Sequence, residues 1–118
     1  MKDVTIYHNP RCSKSRATLT LVEQQGIQPQ VVLYLDTPPS VETLNALLQQ
    51  LGFNDARQLM RTTEELYKTL NLANNSLTQE QLLQAMNNHP TLIERPIVAY
   101  KGKARIGRPP EQVLEILK

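Results

Sequence analysis

The sequence predicts one α/β domain with a mixed sheet, and three observations predict it. Apolar, β-branched runs at residues 4–7 and 31–35 flank a helical pattern from about Ser13 to Gln25, so the chain opens as a β-α-β unit. Leucines at helical spacing then fill the middle. Near the end, Ile97-Val98-Ala99-Tyr100 and Lys103-Ala104-Arg105-Ile106 read as a β-hairpin, followed by an apolar stripe of Val113, Leu114 and Leu117 on a last helix. The order is β-α-β, helices, β-β-α. A chain of 118 residues with 40% apolar and 20% charged residues suits one compact core and excludes a disordered or collagenous chain.

Each element has a local reason. Val4-Thr5-Ile6-Tyr7 is a short strand, and the polar, proline-containing stretch His8-Asn9-Pro10-Arg11-Cys12 cannot continue it. In the helix that follows, Ala17, Leu21 and Val22 mark the apolar face, and Gly26 supplies the stop. Val31-Val32-Leu33-Tyr34-Leu35 has the continuous apolar character of a strand covered on both faces. After Asp36-Thr37-Pro38-Pro39 the period changes: Val41, Leu44, Leu47, Leu48 and Leu51 share a helical face that opens at Ser40 and closes at Gly52. Thr62-Thr63-Glu64-Glu65 and Thr78-Gln79-Glu80-Gln81 both carry the capping-box signature. Pro90 ends the helical block, Lys101-Gly102 makes the hairpin turn, and Pro110 suits the first turn of the last helix.

Charge and cysteine usage narrow the function. The net charge of +2 is too small for a general nucleic-acid or anionic-membrane binder. No run approaches the roughly 18 apolar residues of a membrane span, and the start lacks the apolar core of a signal peptide, so a cytoplasmic location is expected. Cys12 is the only cysteine, which excludes an internal disulfide or a Cys-x-x-Cys pair. With only His8 and His89 beside it, no metal site is expected.

The position of Cys12 points to reactivity. It lies where a strand gives way to a helix, so first-turn N–H groups and the helix dipole favour its thiolate and would also cradle an oxyanion. Arg11, Lys14 and Arg16 crowd the same turn and are expected to lower the thiol pKa further. His8 is equally a general acid, a pKa modifier or a hydrogen-bonded loop residue. Ser13 is a candidate helix cap, while Asn9 and Pro10 shape the turn.

Several spaced segments together resemble a known family. Ile6-Tyr7-His8-Asn9-Pro10-Arg11-Cys12-Ser13-Lys14-Ser15-Arg16, Leu33-Tyr34-Leu35-Asp36-Thr37-Pro38-Pro39, Leu59-Met60-Arg61, Glu94-Arg95-Pro96-Ile97-Val98 and Ile106-Gly107-Arg108-Pro109 look like the glutaredoxin-coupled arsenate reductases. The resemblance covers essentially the whole chain. It implies a thioredoxin-like fold in which residues 1–39 and 90–118 form the core and residues 40–89 a helical insertion. It also implies that Cys12 is the nucleophile and that Arg61, Arg95 and Arg108 hold the oxyanion. His8, Ser15, Arg16 and Pro96 would support them, with Pro96 resembling the cis-proline of thioredoxin-like folds. Arginine suits that task physically, since its planar fork of donors matches a tetrahedral oxyanion and stays charged.

The implied chemistry is reduction of arsenate to arsenite with no bound cofactor, glutathione as co-substrate and glutaredoxin as partner. A single cysteine fits, because an external thiol must resolve the adduct. Two alternatives stay open: a thiol reductase for another oxidised substrate, and a non-catalytic regulator or adaptor like the related Spx-type proteins. Ser15 stands where the second cysteine of the Spx switch would be. Around the nucleophile the chain departs from the resistance-type enzymes at Arg11, Ser13 and Lys14, which bears on substrate choice.

Overall fold

In a computed structural model the structure describes residues 4–117; the expectations that touch Met1 to Asp3 and Lys118 lie outside them. The chain forms two compact units, one from Met1–Thr37 with Arg95–Lys118 and the other from Pro38–Glu94.

The first unit is built on a four-stranded sheet in the order β2-β1-β3-β4, from β1 (Thr5–Tyr7), β2 (Gln30–Val32), β3 (Ile97–Tyr100) and β4 (Lys103–Ile106). β1 runs parallel to β2 and antiparallel to β3, which pairs antiparallel with β4, so the sheet is mixed as expected. This is the α/β, thioredoxin-like arrangement. In the registers Ile6↔Val31 and Ile6↔Val98, alternation puts Val4 and Ile6 on the same face as Val98 and Tyr100. These join Val22 and Ile27 with Val113, Ile116 and Leu117 in one buried cluster, against helices α1 (Ser13–Gln24) and α5 (Leu114–Leu117). Lys101 and Gly102 both take positive φ, 51° and 76°, as a two-residue hairpin turn requires. The last helix opens as a 3-10 turn, Pro110–Val113, before continuing as α5.

Two expectations here are corrected. The buried face of α1 is Ser15, Thr18 and Val22 with Leu19 packed alongside, whereas Ala17 is exposed. Two small polar residues occupy the inward line, so the apolar residues of that helix misplace its buried stripe by part of a turn. Nor is the run Val31–Leu35 a strand covered on both faces. Only Gln30–Val32 pairs, at the sheet edge, and Val31 and Leu33 are 43% and 40% exposed. The chain leaves the strand at Leu33, whose carbonyl accepts from Asp36 N and Thr37 N, and Tyr34 turns inward.

The second unit is helical: α2 (Val41–Leu51), α3 (Glu65–Thr69) and α4 (Gln79–Asn88), with 3-10 turns at Ala56–Leu59 and Pro90–Leu92. Ser40 caps α2 by accepting from Thr43 N, and Gly52 ends it in the left-handed region at φ 76°. Leu44, Leu47 and Leu48 are buried, as are Leu82, Leu83 and Met86 of α4, and α2 packs on α4. The box at Thr78 and Gln81 forms in both directions, Thr78 Oγ1 accepting at 3.1 Å and Gln81 Oε1 at 2.8 Å. The box expected at Thr62 does not form. Residues 61–64 instead close a turn through Glu64 N to Arg61 O, the Glu64 carboxylate pairs with Arg61, and α3 begins at Glu65 without a side-chain cap. Asp55 and Gln58 supply a box not anticipated from the sequence.

Candidate active site

Cys12 is itself the N-cap of α1, in extended backbone at φ −95° and ψ 124°, and it makes no side-chain capping bond. Its sulfur therefore occupies the place from which a serine or aspartate oxygen would receive the first-turn N–H groups. Ser13, expected as a possible cap, is one residue further on and already helical. The Cys12 amide donates to Asn9 O at 3.0 Å, and Arg11 N donates to Asn9 Oδ1 at 3.0 Å, which folds the loop back on itself.

Burial pushes the Cys12 thiol up. The backbone N–H groups of Ser15 and Lys14, then the guanidiniums of Arg95 and Arg108, together outweigh it and hold the thiol below its ordinary value. The first-turn N–H groups act on the sulfur in the expected direction, while the positive charge has a different source from the one expected. Arg11, Lys14 and Arg16 are exposed, where water screens them. The cations that act on the sulfur come from the far end of the chain.

Arg108 lies two residues after the end of β4. Its amide donates to Ile106 O at 2.9 Å and its Nε to Arg95 O at 2.9 Å, which leaves Nη2 3.8 Å from Cys12 Sγ. Gly107 N donates to Pro96 O at 2.9 Å, so the segments 95–96 and 107–108 are laced side by side just beyond the β3–β4 ladder. The Arg95–Pro96 bond is cis, as the resemblance implied, and Arg108–Pro109 is cis as well.

His8 and Ser15 form the floor behind the loop. Ser15 is fully buried and His8 is 6% exposed, with His8 Nδ1 2.6 Å from Ser15 Oγ. Ser15 Oγ also accepts from Asn9 N at 3.0 Å. Burial, then the charge of Arg16, lowers the His8 pKa against a smaller opposing effect of Glu23, so the ring is neutral near pH 7. Arg16 donates from Nη1 to Pro10 O at 2.9 Å and so braces the loop from its exposed side.

The sheet unit therefore gathers Cys12, His8, Ser15, Arg16, Arg95, Pro96 and Arg108. Arg61 belongs to the helical unit, where its amide donates to Leu92 O at 2.7 Å and its Nη2 lies 3.5 Å from Glu64 Oε2. Beside the loop, His8, Asn9, Pro10, Arg11, Leu33, Leu35 and Asp36 line a cleft of about 360 Å³. Among the described residues no group of three or more His, Cys, Asp or Glu side chains is placed to hold a metal ion. No helix among them is long and apolar enough to cross a membrane. Sequence reasoning does not find Thr18, a buried hydroxyl on α1, because a threonine inside a helix carries no signal of its own.

A thiol of lowered pKa at a helix N-terminus, with guanidiniums acting on it, can attack an electrophilic centre in an anion that the same donors hold. Comparison with known proteins agrees with that chemistry. The chain is 64% identical over 116 residues to the uncharacterized protein YfgD of Escherichia coli (strain K12), covering 98% of each. It is 58% identical over 114 residues to the arsenate reductase of Haemophilus influenzae, covering 97% of this chain and 98% of that one. Among solved structures, the arsenate reductase from Vibrio cholerae superposes with a TM-score of 0.96 at 63% identity, covering 98% of each chain. The ArsC family model matches residues 7–116, and with relatives this similar over nearly the full length, the chain belongs to the ArsC family.

Proposed function

We propose that the protein is an arsenate reductase in which the Cys12 thiolate is the nucleophile and Arg95 and Arg108 hold the oxyanion. The observation that carries the reading is the Arg108 guanidinium 3.8 Å from a helix-capping Cys12 Sγ of lowered pKa. The relatives named arsenate reductase over nearly the whole chain supply the substrate.

In the first step Cys12 Sγ bonds to arsenic(V), and an arsenate oxygen leaves as water after taking up a proton. First-turn N–H groups and the two guanidiniums offset the negative charge that builds on the remaining oxygens. An external thiol must complete the reaction, because Cys12 is the only cysteine in the chain. Glutathione sulfur attacks Cys12 Sγ, and the electron pair of the S–As bond stays on arsenic, which leaves as arsenite. Arsenic gains the two electrons that the two sulfurs lose in forming a disulfide. Glutaredoxin then takes the glutathionyl group and returns Cys12 to the thiolate. The cleft beside the loop gives a tripeptide room to approach, and a reducing cytoplasm supplies it.

Arg61 is the third oxyanion arginine in this reading. Its support is the family resemblance of Leu59-Met60-Arg61, within a one-domain chain whose residues 40–89 are an insertion in a thioredoxin-like core. His8, Arg16 and the Ser15 hydroxyl shape the loop, the Ser15 backbone N–H is turned to the Cys12 sulfur, and Pro96 supports the segment that carries Arg95.

The test is steady-state arsenate reduction with glutathione, glutaredoxin and an NADPH-linked regeneration system. Arsenate-dependent NADPH oxidation that needs both glutathione and glutaredoxin supports the proposal. Absence of turnover at saturating arsenate refutes it, and retained activity in Cys12→Ser refutes the role of the thiol.

A further inference from the structure

Gly107 is the one glycine among the described residues that cannot accept a side chain for want of space. Gly26, Gly52 and Gly102 have nothing within 4 Å of the place a Cβ would take, and each sits at positive φ. At Gly107 no positive φ is involved; a Cβ there would overlap Thr18 Oγ1 and lie 2.9 Å from Pro96 Cγ and 3.0 Å from Thr18 Cγ2. The neighbours are themselves fixed. Thr18 is fully buried on α1, where its hydroxyl donates to Lys14 O at 2.8 Å and lies 3.5 Å from Gly107 O. Pro96 accepts from Gly107 N at 2.9 Å.

This contact sits between the two halves of the nucleophile's surroundings. α1 carries Cys12 at its start and Thr18 within its second turn, while the segment after β4 carries Gly107 and Arg108. Residue 107 thus joins the Thr18 contact on α1 to Arg108, whose Nη2 lies 3.8 Å from Cys12 Sγ. We propose that Gly107 is a positioning residue for oxyanion capture, its missing side chain allowing the close packing on Thr18 and Pro96 that brings Arg108 to Cys12. The arsenate readouts rest on the arsenate reductase reading, and the thiol readout does not.

The first variant is Gly107→Ala. Relieving the overlap moves the segment outward and takes Arg108 with it, so arsenate KM rises about tenfold or more, in line with the ~100-fold effect of a ~1 Å misplacement in an active site. Alkylation of Cys12 by iodoacetamide at neutral pH slows roughly threefold, because the sulfur loses part of the charge that favours thiolate. Thr18→Ala removes the two Thr18 atoms that the new methyl would meet and leaves only the Pro96 Cγ contact at 2.9 Å. In that background, adding Gly107→Ala is expected to change arsenate KM and alkylation by clearly less than it does in the parent, the remaining effect coming from Pro96 Cγ, and this non-additivity marks a direct contact with Thr18.

Thr18→Val puts a methyl where the hydroxyl stands and shifts both readouts the same way as Gly107→Ala, by less; Thr18→Ser keeps the hydroxyl and stays near the parent. The Thr18 pair carries the test if Gly107→Ala does not fold. Unchanged alkylation and KM in folded Gly107→Ala, or in Thr18→Val, overturn the proposal. So does a Gly107→Ala penalty that is equally large with alanine at position 18, or a fall in melting temperature with no change at the thiol. If the parent reduces no arsenate but the alkylation pattern holds, the positioning role stands and the substrate assignment falls.

Discussion

Replacing Arg108 by lysine separates charge from geometry. In the parent one planar group faces two ways, with Nε donating to Arg95 O at 2.9 Å and Nη2 directed at Cys12 Sγ from 3.8 Å. A lysine ammonium is a single point and cannot hold both places. At this separation two unit charges attract by about 1 kcal/mol in water and about 4 kcal/mol at an effective dielectric near 20. Both groups are partly exposed, so the lower half of that range applies. Most of this attraction survives in Arg108→Lys, whereas one charge-assisted hydrogen bond, worth about 1.5–3 kcal/mol, does not. That converts to a fall of roughly ten- to a hundredfold in kcat/KM for arsenate. Folding should be largely kept, since Arg108 is half-buried and outside the apolar cluster. The coupled NADPH assay reads the first quantity and thermal melting the second. Arg108→Met, which also removes the charge, adds an upward shift in the Cys12 titration, read from thiolate absorbance. If Arg108→Lys binds arsenate as tightly as the parent and turns over at the same rate, the oxyanion argument fails, and a protein-docking role for this basic surface becomes the better account.

Cys12→Ser should abolish turnover yet melt at the same temperature as the parent or slightly higher. Serine is a favoured N-cap whose oxygen can accept from the same first-turn N–H groups that act on the Cys12 sulfur, and a good cap is worth about 0.5–2 kcal/mol. The lowered Cys12 pKa makes the unfolded state the stronger proton binder, so its stabilisation is complete above the unfolded thiol pKa and is lost as pH falls through the folded one. Denaturation curves should therefore show the parent gaining on Cys12→Ser as pH rises from neutral into mild alkali. A constant difference across that window would mean that the thiol is unperturbed. Ser15→Ala leaves His8 Nδ1 and Asn9 N without their shared partner in a buried position, and it should cost about 1–3 kcal/mol of stability in urea titrations and slow turnover. His8 has its pKa lowered, so the parent should lose stability as pH drops through the ordinary histidine range, and His8→Asn should flatten that acid limb.

How much can be read from the sequence depends on how far apart the responsible residues lie. Ser40, Gly52, Thr78 with Gln81, and Lys101-Gly102 act on backbone a few residues away, and the elements they bound are legible. The coverage of Val31 and Leu33 is not, because an apolar run does not say whether a second strand or solvent lies beside it. The Thr62 box fails because the helix starts later than its signature implies, with Glu64 at the cap position and Glu65 as the first helical residue. Cys12 is legible from its place at a strand-to-helix junction. The cations that tune it are not, since Arg11, Lys14 and Arg16 are its neighbours in sequence while Arg95 and Arg108 are the ones that act on the sulfur. The family resemblance points to Arg95 and Arg108, but composition and spacing alone cannot place them there. The close approach at Gly107 is invisible, because a glycine before Arg-Pro reads equally well as an ordinary turn.

Arg108 lies 96 positions after Cys12, and this has a consequence for biosynthesis. β1, the strand that leads into Cys12, is made well before its partner β3 and the guanidiniums of Arg95 and Arg108. At ~5–20 residues per second the nascent thiol spends several seconds without them. During that interval Cys12 lacks the charges that sharpen it and resembles an ordinary cysteine, slow to react with oxidants or stray electrophiles. The charges that sharpen Cys12 thus arrive together with the strand that lets the sheet close, once residues 95–108 have been made.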